Sequence, residues 1–341
     1  MCGSQRCSPP ILFSRYPAKA LLWTAVALPC IAHAQSPTVN VAQSYPSKPI
    51  RIVVGFAGGG AAEIAARIVG QVYTERLGQQ MIVDPRPGAG GNIAAEIVAK
   101  APADGYTLLV CPIAFTVNPS LFPKLPFDTL KDFAPVTLFA YSANLFTVHP
   151  SVPARSLKEL IALAQARPGQ LTYGSAGNGT ASHLSGELLN SMAGIKLVHI
   201  PYKGSGMAHT DLLGGHISSA FPGVAISLPH IRTGRLRALG VTSLKRAESL
   251  PELPTISESG LQGFEVISWY GLAAPAGTSV EIVQRLNNEL NRALHEPAYA
   301  QRLKASGMDP MQTTPAEFDS FLRRELAKWS KVIKEVGVRA N

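Results

Sequence analysis

The chain has 341 residues, 46% of them hydrophobic and 16% charged. This excludes a disordered polypeptide and supplies more apolar material than one compact core usually holds. Its 30 glycines and 27 prolines follow no period, so they call for many sharp turns and exclude a collagen-like chain. A formal net charge of +9 would suit nucleic acid or an acidic surface, but the N-terminus alters that balance.

Residues 1–34 carry Arg6, Arg15 and Lys19 with no acid, then an apolar run from Ala20 to Ile31, then Ala32, His33 and Ala34. This is the pattern of a secretory signal peptide cleaved after Ala34, and the run is well short of the ~20 residues that span a bilayer. Export leaves a net +6 spread over 307 residues, so nucleic acid is not an expected partner. Cys2, Cys7 and Cys30 leave with the segment. Pro29 fits lipoprotein cleavage before Cys30 poorly, and Cys111 alone cannot form an internal disulfide.

Along the mature chain, Ile50–Val54 reads as a buried strand running into the glycine loop 55–60. Ile64, Ile68 and Val72 then recur every fourth residue, as an amphipathic helix requires. A strand at 81–83, a loop at 85–91, a helix at 92–100 and a strand at 107–110 continue a βαβα alternation, which predicts a parallel sheet covered by helices. The apolar run 134–148 is longer than an ordinary strand and reads as a crossing between domains. A second series follows, with helix Leu157–Ala166, strand 171–173, glycine loop 174–179, helix 180–192, strand 196–200, helix 207–213 and strands 217–221 and 236–241. A second crossing is expected at 264–270, followed by helices 279–295, Pro297–Ala305 and Pro315–Val336, with Pro297 and Pro315 at first-turn positions. The expected division is lobe 1 from 35–142 plus 265–341 and lobe 2 from 143–264.

Each series contains a strand, a glycine loop and a helix start. There the first helical N–H groups lack partners and the dipole favours anions. Residues 58–62 and 175–180 both have this composition. Neither is G-x-G-x-x-G, since Glu63 and Ser182 occupy the sixth positions, and no phosphate-binding P-loop exists. Tyr173 stands where a serine nucleophile elbow at Ser175 needs glycine. His183, His199, His209 and His216 match no metal-ligand spacing. His183 lies close enough to the second loop to hydrogen-bond it, and Lys203 and Tyr202 are further candidates for contact with an anion.

Several motifs occur in one order: Tyr45-Pro46-Ser47-Lys48-Pro49-Ile50, Arg86-Pro87-Gly88-Ala89-Gly90-Gly91-Asn92, Asp104-Gly105-Tyr106-Thr107-Leu108-Leu109, Pro201-Tyr202-Lys203-Gly204, Asp211-Leu212-Leu213-Gly214-Gly215 and Ala273-Ala274-Pro275-Ala276-Gly277-Thr278. In these the chain resembles the tripartite tricarboxylate transporter receptors, the Bug-type periplasmic solute-binding proteins, from about Tyr45 to Val336. The resemblance implies an α/β fold of two lobes, each a mostly parallel sheet flanked by helices, hinged by crossing strands and closing on a small carboxylate. It implies a monomer in the periplasm that passes its ligand to a two-subunit membrane permease, with no catalysis, cofactor or metal and no membrane insertion of the mature chain. By position, the ligand-binding residues are Phe56, Gly58, Gly59, Gly60, Ala61, Ala62 and Glu63 in the first loop. In the second they are Ser175, Ala176, Gly177, Gly179, Thr180 and His183, with Tyr202, Lys203 and Pro222 nearby.

Amides at Gly59, Gly60, Ala61, Gly177, Gly179 and Thr180 are expected to grip the anion. The family's first loop reads Phe-Pro-Pro-Gly-Gly, then hydroxyl residues and Asp, where this chain has Ala57, Gly58, Ala61, Ala62 and Glu63. Its Phe-Asp-Asn is replaced by Phe221-Pro222-Gly223. These departures point to a larger or less polar ligand. Two other readings stay open: an exported enzyme using His183 or Glu63 as general base, and a sensor feeding a signalling kinase.

Overall fold

The computed structural model describes residues 45–56 and 59–336; the signal-peptide segment and Gly58 lie outside the described residues. The first series runs β1 (Ile50–Val54), α1 (Ala61–Leu77), β2 (Met81–Pro85), α2 (Asn92–Ala99), β3 (Thr107–Pro112) and α3 (Ala114–Leu121). Strands β4 (Phe133–Ala143) and β5 (Leu145–Val148) follow, with Asn144 alone between them. The second series is α4 (Leu157–Ala166), β6 (Thr172–Ser175), α5 (Ala181–Ala193), β7 (Val198–Pro201), α6 (Ser205–Leu213), β8 (Ser219–Ala220), α7 (Val224–Arg232) and β9 (Arg237–Val241). Then come β10 (Ile267–Pro275), α8 (Val280–His295), α9 (Pro297–Ala305), β11 (Asp309–Pro310) and α10 (Pro315–Val336).

The strands form a six-stranded sheet in the order β11-β4-β10-β3-β1-β2 and a five-stranded sheet in the order β7-β6-β8-β5-β9. Strand β1 is parallel to β2 and β3, and β6 is parallel to β7 and β8, as the strand–helix alternation requires. The crossing strands enter antiparallel, β10 against β3 and β4, and β5 against β8 and β9. Each sheet is therefore mixed. The apolar run 134–148 is two strands, the first in one sheet and the second in the other. The chain returns between β9 and β10. Helices α3 and α7 carry Pro119 and Pro229 in their interiors, which hid them from a reading by periodicity.

The central strands β1, β3 and β10 of the six-stranded sheet are buried on both faces. Ile50, Ile52 and Val54 pack with α1 and α8, while Val53 points into the core that holds Ala94, Ala95 and Val98 of α2. Ala65, Ala66, Val69, Val72 and Tyr73 give α1 its apolar stripe, and Gly78 ends it at φ 70°. Helix α10 starts at a reciprocal cap. The Glu317 N–H donates to Thr314 Oγ1 at 3.2 Å, and the Thr314 N–H donates to Glu317 Oε2 at 2.8 Å. Its Phe318 is fully buried, worth about 1.5–3 kcal/mol. The ring occupies the space that a Cβ at Gly271 would take, 2.1 Å away.

Candidate ligand-binding cleft

A cavity of about 650 Å³, counting its open mouth, lies between the two sheets at the carboxyl ends of β1, β3, β6, β7 and β8. Among the described residues five helices begin on it. Gly60, Ile113, Thr180, Gly204 and Gly223, the N-caps of α1, α3, α5, α6 and α7, all line its wall. Only the Thr180 side chain caps its own helix, accepting the His183 N–H at 3.4 Å. First-turn N–H groups have no intrahelical acceptor, and each helix start carries roughly half a positive charge. No charged side chain of the described residues lines the cavity. Its electrostatic character therefore comes from backbone, which suits a carboxylate.

The floor comes from the crossing strands. Ser142, Asn144, Ser268 and Tyr270 line it. The Tyr270 hydroxyl is hydrogen-bonded with Ser142 and Ser268, and burial pushes its pKa up, so it stays protonated. Ser268 Oγ donates to Asn144 Oδ1 at 3.4 Å. Phe56, Phe221 and Trp269 add aromatic surface. Phe221 is stacked on Phe146 with centroids 4.7 Å apart, and the Trp269 indole N–H donates to Glu325 at 3.2 Å.

Of the residues expected from sequence, Phe56, Gly60, Ala61, Ala62, Ala176 and Thr180 come together on the cavity wall. The other described candidates do not line it. Glu63 is buried, accepting the Gly59 N–H and Arg67 Nε, each at 2.8 Å. Ser175 is fully buried, accepts the Gly177 N–H at 3.1 Å and meets His199 Nε2 at 2.6 Å. His183 Nδ1 accepts the Gly179 N–H at 3.2 Å. The amides of Gly59, Gly177 and Gly179 thus donate within their own loops. The α5 residues that reach the cavity are Ala181 and Ser182, next to Thr180.

His183 stacks on His199 with centroids 4.2 Å apart. Burial and the neighbouring His199 push His183 down to about 3, and burial pushes His199 down to about 4. Both are neutral at neutral pH, as a ring nitrogen accepting an N–H requires. The Tyr202 hydroxyl donates to Asp211 at 2.6 Å, Lys203 is exposed, and Pro222 is buried in the wall of a smaller recess behind Phe221. Neither Glu63 nor His183, the two general-base candidates, lines the cavity. Among the described residues no group of three or more His, Cys, Asp or Glu is placed to hold a metal, and no helix is long and apolar enough to cross a membrane.

Sequence reasoning missed the floor and the helix starts at Ile113 and Gly223, and set the start of α6 two residues late, at 207 where the helix begins at 205. The available signal was Ser142 and Asn144 interrupting the apolar run 134–148, and Ser268 interrupting 264–270.

Comparison with known proteins gives the same picture. The family model described as tripartite tricarboxylate transporter family receptor matches residues 65–338. A UPF0065 protein from the tcbD–tcbE intergenic region of a Pseudomonas species is 40% identical over 299 residues, covering 87% of this chain and 89% of that protein. BugT of Bordetella pertussis is 36% identical over 302 residues, covering 87% and 92%. Among solved structures, an R. palustris protein with adipate has TM-score 0.83 and 36% identity, covering 86% of this chain and 99% of that one. MatC of Rhodopseudomonas palustris with bound malate has TM-score 0.80 and 32% identity, covering 85% and 100%.

Proposed function

We propose that this chain, which belongs to the tripartite tricarboxylate transporter receptor family, is an exported receptor that captures a small organic carboxylate between its lobes and delivers it to the permease of a tripartite transporter. The observation that carries the reading is the convergence of five helix N-termini on one cavity without a charged side chain. Adipate and malate in two similar structures support the ligand class. In this reading the chain is cleaved after Ala34 and acts as a periplasmic monomer. Its lobes are 35–142 plus 265–341 and 143–264, a division supported by the exchange of sheets at Asn144 and between β9 and β10. Gly60, Ala61, Ala62 and Thr180 hold the carboxylate, and Phe56 lies against the body of the ligand.

The test is a thermal-shift screen of the mature protein against mono-, di- and tricarboxylates, aromatic acids, amino acids and neutral amides. A ligand at 100 times its Kd adds about 2.7 kcal/mol, a rise of roughly 5–10 °C for lobes of this size. Gly60 has φ −83°, a backbone that valine tolerates, so Gly60→Val should abolish the rise and leave the unliganded midpoint in place. No rise with any acid would overturn the reading.

A further inference from the structure

Beside the cleft lies a recess of about 190 Å³, counting its open mouth, and the two share Ala176, Ser182, Ser205 and Phe221 as common wall. The far side of the recess is Ala208 and His209 of α6 with Ala220 and Pro222. Ser205 and His209 stand four residues apart on one helix face, so His209 lies one turn, about 6 Å, deeper than the shared wall. His209 is 8% exposed, and both of its ring nitrogens are buried without a hydrogen-bond partner among the described residues. Buried polar atoms are usually paired. Single atoms of Asn118, Ser185, His199 and Ser227 also lack a partner among the described residues, but His209 lacks one at both ring nitrogens and stands in the wall of a recess beside the cleft, which points to a ligand group.

The neighbours define what that group is. The recess has room for about one small functional group. The Ser175 and Ser182 hydroxyls in its wall are already engaged, with His199 and with the Ala176 N–H, and Pro222 brings no N–H of its own. No charged side chain lines it among the described residues. The His230 ring stands 5.2 Å from His209. Burial first, then His230 and Arg235, push the His209 pKa down to about 4, so the ring is neutral and offers one donor and one acceptor.

We propose that the recess receives the distal end of the ligand, and that His209 selects a neutral hydrogen-bonding group there, a hydroxyl or carboxamide, over a methyl group or a second carboxylate. A methyl group leaves the imidazole unpaired. A second carboxylate enters a recess whose wall, among the described residues, holds no charged side chain to pair with it. This inference rests on the carboxylate reading of the cleft and names the other end of the same ligand.

Isothermal titration calorimetry with two matched probe sets tests it. One set is hexanoate, its terminal alcohol, adipate monoamide and adipate. The other is benzoate, its para-hydroxy and para-carboxamide derivatives, and terephthalate. In at least one set the hydroxyl or carboxamide member should bind about tenfold or more tighter than both the unsubstituted acid and the dicarboxylate. His209→Leu should reduce that preference to about threefold or less while keeping the affinity for the unsubstituted acid. It should not lower the thermal midpoint, because it removes an unpaired buried polar ring. His209→Gln restores a donor and an acceptor and should keep the preference. Binding without discrimination, a preference for the dicarboxylate, or a preference that survives His209→Leu would overturn this proposal and leave the carboxylate reading standing. No binding by any probe would overturn both.

Discussion

Replacing Gly179 with alanine separates closure of the cleft from stability of the chain. Gly179 has φ 77°, which costs an alanine about 1–2 kcal/mol wherever the residue sits. Its added Cβ would also stand 2.4 Å from Asn118 Oδ1, where ordinary contact begins near 3.4 Å, so Asn118 must retreat by about 1 Å. The Asn118 amide donates to the Gly90 carbonyl at 3.0 Å and to Asn92 Oδ1 at 2.6 Å. Losing one of these bonds costs about 0.5–1.5 kcal/mol. Asn118 belongs to α3 beside the six-stranded sheet, and Gly179 to the loop after β6 in the other sheet. The second cost therefore arises only while these two elements are in contact, as they are here, and should vanish if the sheets part.

Gly169 supplies the control, with the same φ of 77° and nothing within 4 Å of an added Cβ. Urea denaturation should show both alanine variants about 1–2 kcal/mol less stable. Titration calorimetry with the tightest acid from the thermal-shift screen should show Gly179→Ala binding about five- to tenfold more weakly, and Gly169→Ala binding unchanged. Equal affinity in Gly179→Ala and the parent, or equal losses in the two variants, would refute the contact as a feature of the closed state.

Two further outcomes follow from the site. His183 and His199 are pushed down to about 3 and about 4 in the fold, against about 6.5 when unfolded. Stability is therefore full above pH 6.5 and is lost toward pH 4, at up to about 1.4 kcal/mol per pH unit for each ring. Urea midpoints from pH 7 to 4.5 should show this, His199→Gln should make the decline shallower, and a flat profile in the parent would refute it. Tyr270→Phe removes the hydroxyl bonded with Ser142 and Ser268, so it should cost about 1 kcal/mol in a urea melt and weaken ligand binding about tenfold in calorimetry; unchanged affinity would remove the floor from the site.

The helix-start argument located both glycine loops because strand, glycine and amphipathic stripe are local patterns, complete within about twenty residues. The positions of Phe56, Gly60 and Thr180 on the cavity wall were legible for that reason. Which amide faces a ligand was not legible, because Gly177 and Gly179 donate to Ser175 and His183, and the orientation of those acceptors depends on packing against His199. The floor was also out of reach. Ser142 and Ser268 lie 126 positions apart and meet only because β4 and β10 pair antiparallel, a register that neither segment encodes alone. The helices α3 and α7 were masked by their interior prolines, although each contributes its start to the cavity.

The two crossings between the sheets are tied to one another. The Asn144 N–H donates to Thr242 Oγ1 at 2.9 Å, the Thr242 N–H to the Asn144 carbonyl at 3.0 Å, and the Val266 N–H to the Thr242 carbonyl at 3.0 Å. A rotation of one sheet against the other that keeps these bonds would turn about this knot, with displacement growing with distance from it. Ser142, Asn144 and Ser268 lie in the knot or within two residues of it and would hardly move in such a rotation, while the starts of α1 and α5, which follow strands of different sheets, would move relative to one another. On the proposed carboxylate reading, an arriving acid would meet its floor partners before and after such a rotation alike, and all the helix starts together only after it. On that reading the crossings would set the rate of capture and the loops the residence time, so changes at Tyr270 should slow arrival and changes at Gly179 should hasten departure.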